Sequence, residues 1–527
     1  MRFKLVICCL LAVLASNTTA FAQNGRKGRN RVISADFRKE KGPLSQMFKE
    51  CIGAGRANEG LRADWQQQLR VTKEECGFKY IRMHGLLTDD MAVYREDRNG
   101  NPVYNYQYID ALYDNIIETG MKPFVELGFM PSALASGDKT IFWWRGNVTP
   151  PKDYSKWEGL IKDLTLHFTE RYGAEEVKTW YFEVWNEPNL DGFWAGSQAD
   201  YFKLYKHAAT AIKSVNAQYK VGGPGTAGAA WEPEMIEYCQ KNGVPLDFIS
   251  THSYGVDQGF LDEFGSAGTV LSKDRLSVSR DVINSRKEIS NSTMPNLELH
   301  YTEWSSSYTP SDPIHDSYHQ APYILEKMKQ VGKTANSMSY WVFTDIFEEA
   351  APRVTPFHGG FGLMNTQGIK KPAYHAFSFM NKLGETELQN SDSLSWVCKS
   401  SNGDMQVLLW DFSYTLPAKV NNQDYYVKDL PSKSKGKVTV ELSGIPAGDY
   451  YLETYKIGYK QNDPYTAYYQ LNKPSQLTRE QVAFLKKQTD GSPLSSELIK
   501  IGASGQFKKE VPLRENDVCL FSLRKLP

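Results

Sequence analysis

The sequence predicts an α/β fold, a (β/α)₈ barrel followed by an antiparallel β-sandwich, and three observations predict it. Before residue 345, short apolar or aromatic runs alternate with longer helical patterns, which is typical of repeated βα units. There are eight such runs, the number of strands in a closed barrel. After about residue 385, the pattern changes to short alternating segments separated by Gly, Pro, Asn and Ser, as in antiparallel sheets.

Eight strands and seven helices are predicted in the first part of the chain. The predicted strands are 48–54, 80–84, 123–127, 179–184, 220–223, 247–252, 297–302 and 339–343. The predicted helices between them are 63–76, 108–119, 157–172, 197–216, 231–242, 275–290 and 321–332. An open doubly wound sheet is the alternative, but that fold suits fewer strands and a phosphate-binding loop after the first of them.

The second part of the chain is predicted to be a β-sandwich with one inserted helix. Its predicted strands are 395–399, 405–411, 437–441, 449–455 and 518–523, and its predicted helix is 478–487. The predicted organisation is a signal peptide at 1–22, an N-terminal linker or strand at 23–44, the barrel at 45–385 and the sandwich at 386–527.

The N-terminus has the pattern of a bacterial signal peptide. Arg2 and Lys4 precede an apolar run at 5–14, and a small-x-small cleavage site ends at Ala22. The apolar run is too short to span a bilayer comfortably, and no later stretch of the sequence is a candidate span. We therefore expect a protein exported to the periplasm or the extracellular space, without a membrane span.

Composition and charge narrow the classes of function. Lys and Arg together number 61, as do Asp and Glu, so the chain lacks the basic footprint of a nucleic-acid-binding protein. Aromatic residues make up 13% of the chain, which fits either a large aromatic core or rings that stack on sugars. Outside the signal peptide, five widely spaced cysteines predict buried thiols, with a single bridge between Cys51 and Cys76 as the alternative.

Two glutamates stand where a barrel carries its catalytic groups, at the carboxyl ends of strands. Glu187 follows the fourth predicted strand, between Asn186 and Pro188, and Glu303 ends the seventh, just before Trp304. Their aromatic surroundings desolvate a carboxyl group and raise its pKa. Glycoside cleavage needs two such groups, about 5–5.5 Å apart for retention of configuration and about 6.5–9.5 Å apart for inversion.

Long stretches around these glutamates carry a resemblance to a known family. The stretches are 82–87, 121–127, 129–134, 182–189, 193–194, 251–254, 301–304, 340–349 and 356–363. They resemble clan A glycoside hydrolases and, more closely, family 39, the β-xylosidase and α-L-iduronidase family. The resemblance covers about residues 50 to 375, nearly the whole predicted barrel.

The resemblance implies a retaining exo-glycosidase with Glu187 as general acid/base and Glu303 as nucleophile. It implies that the sugar site is lined by His84, Asn186, His252, Tyr254, Trp341 and either Glu348 or Glu349, with Phe193 and Tyr308 as further wall residues. His84 and His252 also fall at predicted strand ends, which favours the site independently of the resemblance. The expected partner is an oligosaccharide or glycoside, and the mechanism calls for no metal or cofactor.

Several alternatives stay open. A β-D-xyloside is the first choice of substrate, while α-L-arabinopyranosides, β-galactosides, β-glucosides and α-L-iduronides also occur in related enzymes; Arg353 alone is an obvious partner for an iduronide carboxylate. A carbohydrate-binding protein on an inactive hydrolase fold is another interpretation, although both glutamates are present.

Residues 223–228 fit G-x-G-x-x-G, but they follow the fifth strand and contain Pro224, so a turn at the site rim is preferred over a dinucleotide site. Such barrels often associate, which keeps a homo-oligomer open.

Overall fold

A computed structural model describes residues 31–261, 267–413 and 420–527. The predicted signal peptide at 1–22, and the linker as far as residue 30, lie outside the described residues. In the part of the chain that the structure describes, no helix has both the length and the apolar character needed to cross a membrane.

Eight parallel strands form a closed barrel, which confirms the predicted fold class. The barrel strands are Cys51–Arg56, Tyr80–His84, Lys122–Leu127, Tyr181–Val184, Lys220–Thr226, Phe248–Tyr254, Glu298–Ser305 and Ser337–Tyr340. Each strand pairs with the next in the chain, and the eighth pairs with the first, Tyr340 lying opposite Ile52. All their carboxyl ends therefore open on one face of the barrel.

Helices cover the outside of the barrel. The principal helices are Ala63–Cys76, Gln107–Glu118, Tyr154–Tyr172, Gln198–Val215, Glu232–Asn242, Ser279–Asn291, Gln320–Val331 and Pro372–Asn381, with a single turn at Ala174–Val177. Their starts and ends follow from local chemistry. Ser197 caps the fourth principal helix in a capping box with Asp200, and Gly77 ends the first in a left-handed conformation at φ +77°.

The loops of the barrel contain short hairpins and 3₁₀ turns. Three antiparallel hairpins are Tyr94–Glu96 with Pro102–Tyr104, Thr140–Ile141 with Gly146–Asn147, and Val256–Leu261 with Ala267–Leu271. The 3₁₀ turns are Met47–Lys49, Ala57–Leu61, Asp89–Met91 and Pro313–His315.

A two-layer β-sandwich packs against the barrel. Its larger sheet contains, in spatial order, Glu40–Pro43, Thr386–Leu388, Ser395–Lys399, Met405–Trp410, Val518–Lys525, Gly448–Ile457 and Ser495–Ile501. Its smaller sheet contains Arg31–Asp36, Ser434–Ser443 and Phe507–Arg514. The helices associated with this part are Asn422–Tyr425, Pro464–Gln470 and Arg479–Gln488.

The larger sheet is buried on both faces, as the side chains of one of its strands show. In Met405–Trp410, Val407 and Leu409 belong to the core between the two sheets, whereas Leu408 and Trp410 belong to the core shared with the barrel. Alternate side chains of a strand point to opposite faces, so this strand joins the two hydrophobic cores.

The N-terminal segment is part of the sandwich. Residues 31–36 pair in parallel with residues 438–443 of the smaller sheet, and Glu40–Pro43 pairs with Thr386–Leu388 at the edge of the larger one. Ile33 is fully buried in the core between the sheets.

The cysteines are buried thiols, as the sequence predicts. All five cysteines of the described residues are buried and free, so the alternative of a bridge between Cys51 and Cys76 is wrong. Burial raises the pKa of the Cys51 thiol to about 12, which keeps that thiol protonated and unreactive.

Candidate active site

A cavity of about 460 Å³ opens at the carboxyl ends of the barrel strands. Its lining residues are His84, Asn186, Glu187, Leu190, Phe193, Ala227, Gly228, Tyr254, Val256, Glu303, Tyr308, Trp341, Glu349 and Phe361. The structure thus brings most of the site residues expected from the sequence into one space. His252 lies directly behind this lining, fully buried, and contacts both glutamates.

Glu187 is presented by a strained turn after the fourth barrel strand. Trp185 and Glu187 both adopt positive φ angles, +74° and +45°, a conformation that costs of order 1–3 kcal/mol for a residue with a side chain. The turn is held by the Glu187 N–H, which donates to the Gly225 carbonyl oxygen at 2.8 Å. Such strain, maintained by the surrounding structure, is typical of a functional position.

Glu187 is a weaker acid than an exposed glutamate. Burial raises its pKa to about 7, although the positive charge of Arg82 and the ring of His84 favour the ionised form. Its Oε1 lies 2.9 Å from Nδ1 of His252. A carboxyl group with this pKa can hold a proton at neutral pH and release it during a reaction.

The hydrogen bonds around His252 place the proton of this pair on Glu187. Burial lowers the pKa of His252 to about 4, so the ring is neutral and carries one N–H. Thr302 donates its hydroxyl proton to Glu183 at 2.7 Å, and it therefore accepts from Nε2 of His252 at 3.2 Å. Nδ1 is then an acceptor, and the hydrogen bond to Glu187 needs a proton on the carboxyl group.

Glu303 has the opposite environment. Its Oε1 accepts from Nη1 of Arg82 at 2.7 Å, and its Oε2 accepts from the Tyr254 hydroxyl at 2.7 Å. These two hydrogen bonds, one of them from a guanidinium, fix the orientation of the Glu303 carboxyl group in the cavity. Glu303 is therefore suited to attack rather than to donate a proton.

The two carboxyl groups are close together. One oxygen of Glu187, one oxygen of Glu303 and a ring nitrogen of His252 all lie within 4.8 Å of one another. This separation matches the gap of about 5–5.5 Å needed for a covalent intermediate and is well short of the gap used for inversion. The same three residues are the single group with metal-ligand spacing found among the described residues.

Arg82 is a site residue that the sequence analysis missed. It is fully buried in the second barrel strand and forms ion pairs with Glu126 at 2.9 Å, Glu183 at 2.6 Å and Glu303 at 2.7 Å. One cation thus serves three carboxylates. Charged residues are rarely buried without a partner, so an arginine inside an apolar strand, two residues before His84, was the available signal.

Asn186 and His84 offer polar groups to the cavity. Arg82 donates to Oδ1 of Asn186 at 2.8 Å, while Nδ2 of Asn186 is buried with no partner within the described part of the chain. Nδ1 of His84 contacts Glu126 at 2.7 Å, which leaves Nε2 facing Glu303 at 3.5 Å. Both groups are positioned to bind substrate hydroxyls.

Aromatic rings form the walls. Trp341 directly follows the eighth strand, which ends at Tyr340, so the prediction that Trp341 lies within that strand is wrong. Its ring centroid is 4.7 Å from that of His84. Tyr308 stands at the rim, half exposed, with its ring edge-on to Tyr254 at 6.3 Å. Phe193 lies on the side of Glu187.

Of the adjacent glutamates after the eighth strand, Glu349 lines the cavity and Glu348 does not. Glu348 instead forms ion pairs with Arg56 at 2.8 Å and Arg62 at 3.2 Å, so its placement in the sugar site is corrected. Neither side chain is open to solvent, because both are 15% exposed or less. Burial and the neighbouring Glu303 raise the pKa of Glu349 well above its usual value.

The glycine-containing segment 223–228 forms part of this site. It continues the fifth barrel strand, its Gly225 carbonyl holds the Glu187 turn, and Ala227 and Gly228 line the cavity. It does not open the first βα unit of a dinucleotide-binding fold, so the preferred interpretation as a rim turn fits its position.

Comparison with known proteins agrees with this geometry. The family model described as Glycosyl hydrolases family 39 matches residues 31–499. The chain is 39% identical over 501 residues to a β-xylosidase of Caldicellulosiruptor saccharolyticus, covering 94% of this chain and 96% of the relative. It is 43% identical over 374 residues to a β-xylosidase of Geobacillus stearothermophilus, covering 69% and 73% of the two chains.

A solved structure shows the same architecture. The crystal structure of a family 39 enzyme from Xanthomonas axonopodis pv. citri superposes with a TM-score of 0.92 at 41% identity, covering 96% of this chain and all of that one. With the family model matching far more than half of the chain, the assignment does not depend on any single relative. The chain therefore belongs to glycosyl hydrolase family 39 and is a glycosidase.

Proposed function

We propose that this protein is a retaining exo-β-xylosidase that removes xylose from plant-derived or other complex oligosaccharides. The observation that carries the proposal is the pair of carboxyl groups within 4.8 Å, one with its pKa raised by burial to about 7 and the other hydrogen-bonded by a guanidinium. The names of the relatives, both β-xylosidases at about 40% identity, support xylose as the sugar.

In the first step, the carboxylate of Glu303 attacks the anomeric carbon while Glu187 protonates the departing glycosidic oxygen. The bond between the sugar and that oxygen breaks, and a covalent glycosyl–Glu303 ester forms. Arg82 and the Tyr254 hydroxyl hold Glu303 in line for this attack, since each bonds a different carboxylate oxygen.

In the second step, Glu187, now ionised, takes a proton from a water molecule as the water oxygen attacks the anomeric carbon, and the bond between that carbon and Glu303 breaks, which releases Glu303 as a carboxylate. Two inversions at the same carbon give net retention. Glu187 regains its proton, and the neutral ring of His252 accepts the hydrogen bond from it, so the pair returns to its starting state.

The experiment that tests this function is a panel of aryl glycosides: β-xyloside, α-L-arabinopyranoside, β-galactoside, β-glucoside and α-L-iduronide. We expect the β-xyloside to be turned over fastest, and Glu303→Ala to abolish that turnover. Glu288→Ala, an exposed glutamate on a barrel helix, is the matched control and retains activity. Turnover in Glu303→Ala equal to that of the control would disprove the nucleophile assignment.

The stereochemistry is tested separately by ¹H NMR of the first product. Retention requires β-xylose to appear before mutarotation produces the α anomer. Initial release of α-xylose would contradict the double displacement.

We also propose that the protein is exported. The proposal rests on the basic, apolar and small-residue pattern of residues 1–22. Expression of the full chain in a bacterial host should give a periplasmic or extracellular protein that begins near Gln23. Intact Met1 on the mature protein, read by mass spectrometry, would contradict it.

A further inference from the structure

A glycine-rich segment after the eighth strand, residues 358–362, forms one wall of the cavity through its Phe361. Phe361 lines the cavity and is 2% exposed. Its ring lies edge-on to Phe347 at 5.5 Å, and both belong to one apolar cluster with Trp341, against which Tyr254 packs. Phe361 is therefore part of the cavity lining.

A buried cluster of charged side chains lies directly beneath this segment. Lys371 is fully buried, and its Nζ is 2.6 Å from Asp316, 2.6 Å from Asp345 and 2.9 Å from the Gly360 carbonyl oxygen to which it donates. Asp316 belongs to the loop after the seventh strand and Asp345 to the loop after the eighth. Lys371 thus ties the two loops to each other and to the wall.

The same buried side chains bind the backbone of the wall at further points. The Gly359 N–H donates to Asp316 at 2.6 Å, and the Gly362 N–H donates to Asp345 at 2.7 Å. His315 is fully buried, with its Nδ1 2.9 Å from the Gly359 carbonyl oxygen and its ring centroid 4.8 Å from that of Phe361. The position of Phe361 is consequently fixed by buried side chains, and no exposed group takes part in the hydrogen bonds described here.

The glycines allow this close approach. A Cβ on Gly362 would lie 2.3 Å from the backbone nitrogen of Asp345, and one on Gly360 would lie 2.3 Å from an oxygen of the Asp345 side chain. Because the segment rests directly on charged groups, it cannot move outward without breaking the hydrogen bonds between its backbone and those buried groups.

The two sides of the cavity differ in chemistry. The anomeric carbon has two ring neighbours, C2, which bears a hydroxyl, and the ring oxygen, which is followed by C5. Asn186, on the turn after the fourth strand, offers an unpaired buried N–H₂ group, whereas Phe361, on the loop after the eighth, offers an apolar face beside Tyr254. A xylopyranoside has no substituent on C5, and a glucopyranoside carries a hydroxymethyl group there.

We infer that Phe361 is a specificity-determining residue that excludes substituents on C5, and that Lys371 is a positioning residue that acts through Phe361. The inference rests on the proposed β-xylosidase function. The C2 hydroxyl faces Asn186, and the unsubstituted C5 methylene packs on Phe361. A hydroxymethyl group on C5 would collide with Phe361, because the buried charged side chains keep this wall from moving.

The first test is the ratio of kcat/KM for 4-nitrophenyl β-xyloside to that for 4-nitrophenyl β-glucoside. Phe361→Ala should lower this ratio by about tenfold or more, since one methylene-sized difference in a pocket is worth roughly 10–200-fold. Phe357→Ala is the matched control, because the Phe357 ring packs on Tyr468 at 5.2 Å and does not line the cavity. An unchanged ratio in Phe361→Ala, or an equal loss on both substrates, would overturn the inference.

The second test concerns Lys371. Lys371→Met should lower the same ratio, and adding it to Phe361→Ala should cause no further fall, because the two residues act through one wall. A reduced Tm with a native ratio would show a purely structural role and refute the positioning claim. Should Lys371→Met not fold, Asp345→Asn, which keeps the side-chain shape, is read in the same way.

Failure of the proposed function is distinguishable from failure of this inference. Native protein that turns over no β-xyloside contradicts the proposed function before any variant is made. Native protein that prefers β-xyloside, together with a Phe361→Ala variant of the same preference, contradicts the inference alone.

Discussion

At the scale of single residues, the site suits two glutamates to different roles by giving them different neighbours. Glu187 lies beside a neutral histidine in a desolvated position, and its pKa rises to about 7. Glu303 receives hydrogen bonds from a guanidinium and a phenol. Two identical side chains thus acquire two roles from their surroundings alone, a pattern common to sites that use paired acids.

The raised pKa of Glu187 predicts the basic limb of the pH profile. The acid must be protonated in the first step, so its working form persists below the raised pKa and is lost as the pH rises through about 7. On a substrate with a poor leaving group, such as xylobiose, kcat/KM should fall about tenfold per pH unit above that value. The measurement is kcat/KM against pH for native protein and for Glu187→Ala.

The variant and its control make this prediction specific. Glu187→Ala should lower kcat/KM on xylobiose by about 10²–10⁴-fold, abolish the limb, and be rescued by azide on a substrate with a good leaving group. Glu232→Gln is the control, because Glu232 also has a pKa of about 7 but bonds Ser285 between two helices, outside the cavity. Persistence of the limb in Glu187→Ala would show that another group is the acid.

At the scale of elements, a short helix of the sandwich, Asn422–Tyr425, supports the rim of the active site. Asn422 is fully buried, donates to Asp312 at 2.8 Å and accepts from the Leu271 N–H at 3.1 Å. Asp312 follows the seventh strand on the loop that carries Tyr308, and Leu271 ends the hairpin that begins with Val256. Both Tyr308 and Val256 line the cavity.

Loss of this support should affect binding more than chemistry. Asn422→Ala leaves buried polar groups without partners, which costs about 1–3 kcal/mol of stability. We expect KM to rise severalfold while kcat changes little, since Glu187 and Glu303 are anchored elsewhere. Steady-state kinetics and thermal unfolding check this, with the exposed Asn242→Ala as control. A lower kcat at unchanged KM would contradict the proposed role of the helix.

The elements that the sequence predicted well are those with strong local patterns. The strand Tyr80–His84 and the helix Ala63–Cys76 have the predicted bounds, because amphipathic and apolar runs mark them clearly. The helix Pro372–Asn381 was not predicted, since nine of its ten residues are buried and it lacks a polar face. Buried helices have no periodic signal to detect.

The candidate site was predictable as far as it depends on strand ends. Glu187, Glu303, His84 and His252 could be placed because the carboxyl ends of barrel strands converge. Arg82 could not, because its role depends on partners from the third, fourth and seventh strands. The choice between Glu348 and Glu349 likewise depends on distant arginines, and adjacent residues offer no local signal for it.

At the scale of the whole molecule, the N-terminal segment and the last strands of the chain lie in the same sandwich. Arg31 forms two hydrogen bonds with Asp392, at 2.7 and 2.6 Å, and donates to the Trp410 carbonyl oxygen at 2.7 Å. The strand Arg31–Asp36 adds fully buried Ile33 to the core between the sheets. In the sequence, the barrel lies between the N-terminal strands of the sandwich and its remaining strands.

This arrangement predicts different results for two N-terminal truncations. A chain that begins at residue 31 should keep the native Tm, whereas one that begins at residue 45 loses two strands and should be insoluble or melt far lower. Burial of the Ile33 side chain alone contributes about 1.5–3 kcal/mol. Soluble yield and calorimetric Tm are the measurements, and Ile33→Ala, with an expected loss of about 2–5 kcal/mol, is the milder variant. Equal Tm values for both truncations would show that the segment is dispensable.

The pairing of residues 31–36 with residues 438–443 has a consequence for the growing chain. Synthesis proceeds from the N-terminus, so this strand emerges before the barrel and its partner emerges after the entire barrel. During that interval it is an unpaired edge that other chains can join. Arg31, Asp36, Arg38, Lys39 and Lys41 flank or follow its short apolar run, and charges in these positions discourage such joining. The chain thus carries, in the first residues that the structure describes, charges that oppose aggregation during its own biosynthesis.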